Sequence, residues 1–555
     1  MKIIDRTTLD SGYADFSSLE FLNTNLAYAA TCALARDTKK EYIYDYSLNR
    51  RLDRGTTLAV ALALKDFIQK KFPKYDRIGI ALPSCFPGIA LNLAVQMAGK
   101  SSVNVNFTVG AETAKACYEK AGIKCIIGSD KVRKKVLEHA PDFPWTDEFY
   151  DIADILKSIG KKGILPKLLA VKTLSGRALC RLFGIPREGG DKEASIIFTS
   201  GSEAAPKAAV LTHRNLVANA LQMWEIGIVG AGDDALHANL PLFHSFGQSI
   251  QVWFTMIFGV REVAVQSPLE VQSNLAAAKK GGSTIMISTP TFLRSYYKKG
   301  SPEDFPKLKN VIGGAEKTPD GFIDAWNAKF PKVRYLEGYG LTEASPVVCV
   351  NLPPNLKRGK FCPQPSGLKA ESVGELFPGM QARVSDPDTG EILPVGEVGI
   401  LELKGASIFG GYLNQPEENA KKLRDGWLKT GDLAKLDEDG FIFIKGRLSR
   451  FSKIGGEMVP HAGVEEAVAK ALGLGDSEVP AIAVGSRVDS AKGEALVLLS
   501  TVDIDASELR RRLTEAGLAN LWIPRHIVRV ESIPVLGTGK LDLGKINKIA
   551  KGAAF

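Results

Sequence analysis

Short apolar runs alternate with longer stretches of helical period until about residue 440. Runs at 78–82, 195–198, 284–287 and 311–312 read as buried strands, too short for helices. Helices follow several of them: Thr212 is placed to cap one over 215–224, and Pro290 to open one over 292–297. This succession predicts α/β layers with parallel strands, and ligand-binding loops after those strands. The uncharged stretch 78–99 invites a membrane-spanning reading. Pro83, Pro87 and its glycines interrupt it, and Asn92 and Gln96 dilute it, so a strand, a turn and a buried helix are expected instead.

The pattern changes at Gly446-Arg447-Leu448-Ser449-Arg450, a charged turn after the strand-like 441–444. We divide the chain there, into 1–446 and 447–555. The second part shows two helical stretches, 464–472 and 507–516, with strands near 481–484, 495–499 and 527–530: a small α+β unit. A chain of 555 residues exceeds what one core usually serves, and 45% hydrophobic residues suffice to fill two. The expected fold is thus α/β, a large multi-sheet layered N-terminal domain with a small α+β domain behind it.

A net charge of +9 favours anionic partners such as nucleotides, an acidic carrier protein or an anionic membrane surface. The excess is small and no basic run is interleaved with aromatics, so no nucleic-acid partner is expected. Seven cysteines without a C-x-x-C pair read as reduced thiols, and the first six residues lack a signal-peptide core, so a cytoplasmic location is expected. Residues 151–190 carry eight Lys or Arg against three acids, among Leu168, Leu169, Leu174, Leu179 and Leu182. That suits peripheral contact with an anionic membrane. Projected as one helix its basic residues do not gather on one face, so a solvated insertion is the plainer reading. Trp253, Phe254, Met256 and Phe258 read as core, and His213 and His237 as a helix start and a strand end.

Three stretches carry chemistry. Phe198-Thr199-Ser200-Gly201-Ser202-Glu203-Ala204-Ala205-Pro206-Lys207 gathers hydroxyls, a glycine and an ammonium after an apolar strand, which suits a polyphosphate. Gly338-Tyr339-Gly340-Leu341-Thr342-Glu343 offers a ring for a base and a carboxylate for a divalent cation. In Lys429-Thr430-Gly431-Asp432 an exposed aspartate after a turn is expected to accept ribose hydroxyls. Gly201 and Lys207 have Walker A spacing, but Pro206 replaces its second glycine and Ala208 the metal-binding hydroxyl, so a P-loop enzyme is excluded.

In this order, with Pro241 to Gly247, Gly313-Gly314-Ala315-Glu316, Gly410-Gly411-Tyr412, Gly446-Arg447 and Gly537-Thr538-Gly539-Lys540, the motifs resemble the adenylate-forming superfamily, whose members include acyl-CoA synthetases. Within it the chain is similar to acyl-acyl carrier protein synthetases and long-chain acyl-CoA synthetases.

The resemblance implies two half-reactions: a fatty carboxylate attacks ATP to give acyl-AMP and pyrophosphate, and a thiol of CoA or phosphopantetheine then displaces AMP. It implies that Lys540, on a mobile lid, stabilises the reacting phosphate, and that Glu343 holds Mg²⁺. Thr342 and the loop residues Thr199, Ser200, Gly201, Ser202 and Lys207 would contact phosphates. Tyr339, with Gly314, Ala315, Glu316 and Gly340, would flank the adenine, and Asp432 and Arg447 would take the ribose. His244 would orient the acyl carboxylate, and Ser449 would be the hinge. The family loop has glycine where Ala204 and Ala208 stand and usually threonine where Glu203 stands. A nucleotide-binding protein without turnover is therefore the competing reading. No histidine has an aspartate five residues later, so the glycerolipid acyltransferase motif is absent.

Overall fold

The computed structural model describes the chain except residues 200–205, 231, 233, 355, 363–366, 455–456, 475–479, 490–492, 536–540 and 553–555. Two large sheets and one small sheet organise it.

The first sheet has six strands. Arg77–Ala81 is its centre, between the parallel strands Ser101–Asn104 and Cys125–Gly128, and Glu193–Thr199 and Lys207–Thr212 close one side as an antiparallel pair. The second sheet has seventeen strands and two characters. Arg261–Ala264, Ala235–Ala238, Ile285–Ser288, Asn310–Gly313 and Arg334–Gly340 are parallel neighbours, as the alternating pattern predicted. From Arg334–Gly340 onward the sheet turns antiparallel, through Val347–Val350, Gly374–Leu376, Phe441–Arg447, Trp427–Leu436 and Val398–Gly405. This antiparallel half is a part of the layered α/β body that the alternating pattern did not specify. Its strands connect by turns, and Met380–Ser385 alternates buried with half-buried positions, the signature of a one-sided sheet.

The stretch 78–99 folds as that strand and the helix Phe86–Met97, buried on nearly every face. No helix among the described residues is long and apolar enough to cross a membrane. The two diluting amides have partners inside: Asn92 exchanges hydrogen bonds with Asn104, and Gln96 donates to the Ala194 carbonyl at 2.5 Å. Asn92 fastens the helix to the strand Ser101–Asn104, and Gln96 fastens it to Glu193–Thr199, which ends at the loop. Trp253, Phe254 and Met256 are core, at 0%, 2% and 0% exposure.

The small sheet begins after a short turn. Arg447 ends the last large-sheet strand, Leu448–Arg450 forms a 3₁₀ turn, and Phe451–Ile454 opens a five-stranded sheet with Glu457–Pro460, Ile482–Asp489, Gly493–Ser500 and His526–Arg529. Helices His461–Leu472 and Ala506–Glu515 match expectation; a third, Leu543–Gly552, was not foreseen.

Candidate active site

Strands Asn310–Gly313 and Arg334–Gly340 run parallel, so their C-terminal ends bring residues 314–316 beside 338–340. A Cβ on Gly314 would lie 3.2 Å from the Gly338 carbonyl oxygen, so glycine lets the two backbones approach. At Gly340 a Cβ would stand 2.3 Å from the Pro346 oxygen; no other residue fits that turn. Ala315 follows at φ 70°, a strained left-handed conformation for alanine. Glu316 accepts from the Thr291 hydroxyl at 2.6 Å and its N–H at 3.3 Å.

Asp432 joins this cluster from the antiparallel half. It lies opposite Arg447 in the ladder and accepts from Arg447 Nε at 2.9 Å, while its other oxygen accepts from the Tyr339 hydroxyl at 2.5 Å. The sequence reading expected an exposed aspartate; Asp432 is 4% exposed, because both neighbours fold over it. Burial and then the Asp432 charge push the Tyr339 hydroxyl well above its ordinary range, so it stays a donor. The same charge, first among its influences, raises the Arg447 guanidinium further.

At the loop between the two closing strands, Lys207 sits opposite Thr199 across the antiparallel pair. Ser200, Gly201 and Ser202, with Glu203, Ala204 and Ala205, lie outside the described residues. Lys207 Nζ pairs with Glu418 at 2.5 Å and stands 5.6 Å from the centre of the Tyr412 ring. The Tyr412 hydroxyl donates to Glu343 at 2.5 Å. Gly411 and Leu413 bond back to the Lys207–Thr212 strand, so the Gly410-Gly411-Tyr412 turn is stitched to the loop's exit. Lys422 completes the group, its Nζ 3.4 Å from the Lys429 and Thr430 carbonyls, and burial lowers its pKa. The family motifs include Tyr412 but pass over Glu418 and Lys422, whose helix Pro416–Lys422 looks like ordinary solvated surface in sequence.

Between the two clusters, the Thr342 and Ser245 hydroxyls share a hydrogen bond at 3.1 Å. His244 precedes the helix Ser245–Gln248, its ring 4.9 Å from Phe243, which meets Phe107 edge-on at 5.4 Å. Gln248 at the end of that helix bonds Ser195 at 3.0 Å and Ser102 at 3.3 Å, tying the His244 segment to the strand that feeds the loop. Sequence reasoning missed this buried amide; its only signal is a glutamine within an apolar helix. Lys540 lies outside the described residues.

Residues 56–413, more than half of the chain, match the family described as AMP-binding enzyme. The chain belongs to the AMP-binding enzyme family. It is 28% identical over 363 residues to 4-coumarate–CoA ligase 1 of Arabidopsis thaliana, a match covering 63% of this chain and 62% of that protein, under two thirds of the relative's length. It is 27% identical over 412 residues to the long-chain-fatty-acid–CoA ligase of Salmonella typhimurium, covering 72% and 69%. In fold it is similar to ATP-bound MatB from Rhodopseudomonas palustris, with TM-score 0.74, 22% identity, and 95% and 99% of the two chains covered.

The structure of this AMP-binding enzyme accounts for Ala208, where the family resemblance implies glycine. Ala208 is extended, opposite Phe198 in the ladder and fully buried, where alanine is unstrained. Among the described residues no three His, Cys, Asp or Glu side chains gather as a metal cage. Glu343 offers one carboxylate, which accepts from the Tyr412 hydroxyl.

Proposed function

We propose that this AMP-binding enzyme is an ATP-dependent ligase that activates a long-chain fatty acid as acyl-AMP and passes the acyl group to a thiol, of acyl carrier protein or of CoA. The observation that carries the reading is Asp432 gripping Tyr339 and Arg447, with a second cluster in which Lys207 pairs with Glu418 and Glu343 accepts from Tyr412. One cluster has the donors and acceptors for a nucleoside, the other the cation for its phosphates. The Salmonella relative's name as a long-chain-fatty-acid–CoA ligase supports the choice of acid, and the change from the large sheet to the small one at 447–451 supports a body over 1–446 and a lid over 447–555.

In the first step a carboxylate oxygen attacks the α-phosphorus and the bond to pyrophosphate breaks. Asp432 and Arg447 hold the ribose, Tyr339 flanks the base with Gly314, Ala315, Glu316 and Gly340, and Thr342 donates to the α-phosphate. Thr199, Ser200, Gly201, Ser202 and Lys207 take the outer phosphates. Glu343 would hold the Mg²⁺ that accompanies ATP, and the ion would offset phosphate charge. Lys540 brings a positive charge to the reacting oxygens, where preorganised charge lowers the barrier most. His244 orients the acid. In the second step the thiol sulfur attacks the acyl carbon and AMP leaves, which requires the lid to move.

The test is acid-dependent exchange of labelled pyrophosphate into ATP, followed by product analysis with palmitate and either CoA or carrier protein. Exchange supports the ligase. Tight ATP binding without exchange supports the alternative, a nucleotide-binding protein that does not turn over. Exchange that survives Lys540→Ala unchanged would sink the assigned role of that lysine.

A further inference from the structure

The 151–190 insertion forms the helices Ile152–Thr173 and Gly176–Leu182. The first is broken at Gly160, with φ 56° and ψ −174°, so 161–173 has its own helical phase. Projecting the insertion as one helix mixed two phases and hid its pattern. In the separate phase, Lys161, Leu165, Leu169 and Lys172 follow one another at spacings of four, four and three, with Lys162 beside them, and all five are exposed. The opposite face is used internally: Val171 is buried, and Lys167 pairs with Asp66 at 2.5 Å and stands 5.3 Å from the Phe183 ring.

A packed helix ordinarily shows water its polar side. Here Leu165 is 57% and Leu169 66% exposed, and Leu182 on the next helix 60%, near the exposed Arg177 and Arg181 in sequence. From Lys157 to Arg187 the chain has eight basic residues and no acid. Asp66, on the neighbouring helix, is engaged by Lys65 and Lys167.

We propose that this face docks the protein on an anionic phospholipid surface, with Leu165 and Leu169 entering the acyl boundary and Lys161, Lys162 and Lys172 meeting phosphate headgroups. Leucines this exposed form a ridge, which enters a lipid surface without needing a matching groove as a folded partner would. The flanking lysines lay their stems along the apolar side and keep their ammonium groups at the headgroups. The inference rests on this face alone and stands apart from the proposed ligase activity, because vesicle binding is measured without ATP or acid.

The full chain is floated with vesicles of phosphatidylcholine alone and of phosphatidylcholine with phosphatidylglycerol. Wild type is expected to float with the anionic vesicles only and to be released by high salt. Lys161→Glu/Lys162→Glu/Lys172→Glu should lower partitioning about 100-fold, at roughly five-fold per basic residue near the surface. Leu165→Ser/Leu169→Ser should lower it at least about ten-fold at unchanged Tm, from the lost apolar insertion. Failure of wild type to float, equal flotation of the triple variant, or capture of an acidic protein on this face without vesicle binding would each overturn the proposal.

Discussion

Asp432 and Arg447 face each other across neighbouring antiparallel strands, and the aspartate divides its two oxygens between Arg447 at 2.9 Å and the Tyr339 hydroxyl at 2.5 Å. Asp432→Asn keeps the shape and removes the charge. It should raise the ATP KM at least ten-fold and cost about 1–3 kcal/mol of stability, since one of the two donors then faces an NH2 group in place of its acceptor. Urea unfolding and a double-mutant cycle with Arg447→Gln measure both; additive effects would show that the pair is uncoupled.

Gly340 and Gly410 make a matched test of backbone fit. A Cβ at Gly340 meets the Pro346 oxygen at 2.3 Å, whereas one at Gly410 meets nothing within 4 Å. Gly340→Ala should displace Thr342 and Glu343 and reduce pyrophosphate exchange about 100-fold, the scale of a 1 Å misplacement. Gly410→Ala should leave exchange near wild type. Equal activities would mean that the 338–343 turn tolerates movement.

Three buried histidines make the fold acid-sensitive. Burial, first among the causes, holds His213 and His237 at about 4 and His461 at about 3. Above pH 6.5 each is neutral folded and unfolded alike and costs nothing. As pH falls below 6.5 the unfolded chain takes up protons that the folded one refuses, so stability drops until the folded values are reached. The slope is about 1.4 kcal/mol per pH unit for each histidine. Unfolding free energies between pH 6.5 and 4 check this, and a flat profile would show that these rings accept protons in place.

Ser449 lies exposed in the 3₁₀ turn between the large and small sheets. Ser449→Pro fixes a torsion there. Pyrophosphate exchange should stay within about two-fold of wild type while thioester formation falls at least ten-fold, as expected for a gating residue. Parallel loss of both half-reactions would move the hinge elsewhere.

Gln248→Leu should cost about 2–4 kcal/mol, because Ser195 and Ser102 lose a buried partner. Exchange should fall with it in the soluble, folded fraction. A stable variant with full exchange would reduce the amide to simple packing.

Where periodicity was local, the fold was legible: 78–82 is Arg77–Ala81, 495–499 lies within Gly493–Ser500, and Thr212 caps His213–Glu225 through a reciprocal bond with Asn215. The antiparallel half was not, because its short strands owe their existence to partners distant in sequence. The same holds for the site. Motif order named Tyr339, Glu343, Asp432 and Arg447, while Lys207–Glu418 spans 211 residues and Tyr412–Glu343 spans 69, separations on which a single sequence is silent.

The Gln248–Ser195 bond also bears on how acid preference diverges. Gln248 is four residues past His244, and Ser195 four residues before Thr199, so one clasp ties the segment proposed to orient the acid to the strand that feeds the proposed phosphate loop. A shift at either end is transmitted to the other. A variant that changes acid preference without loss of exchange is therefore expected to alter residues outside that clasp.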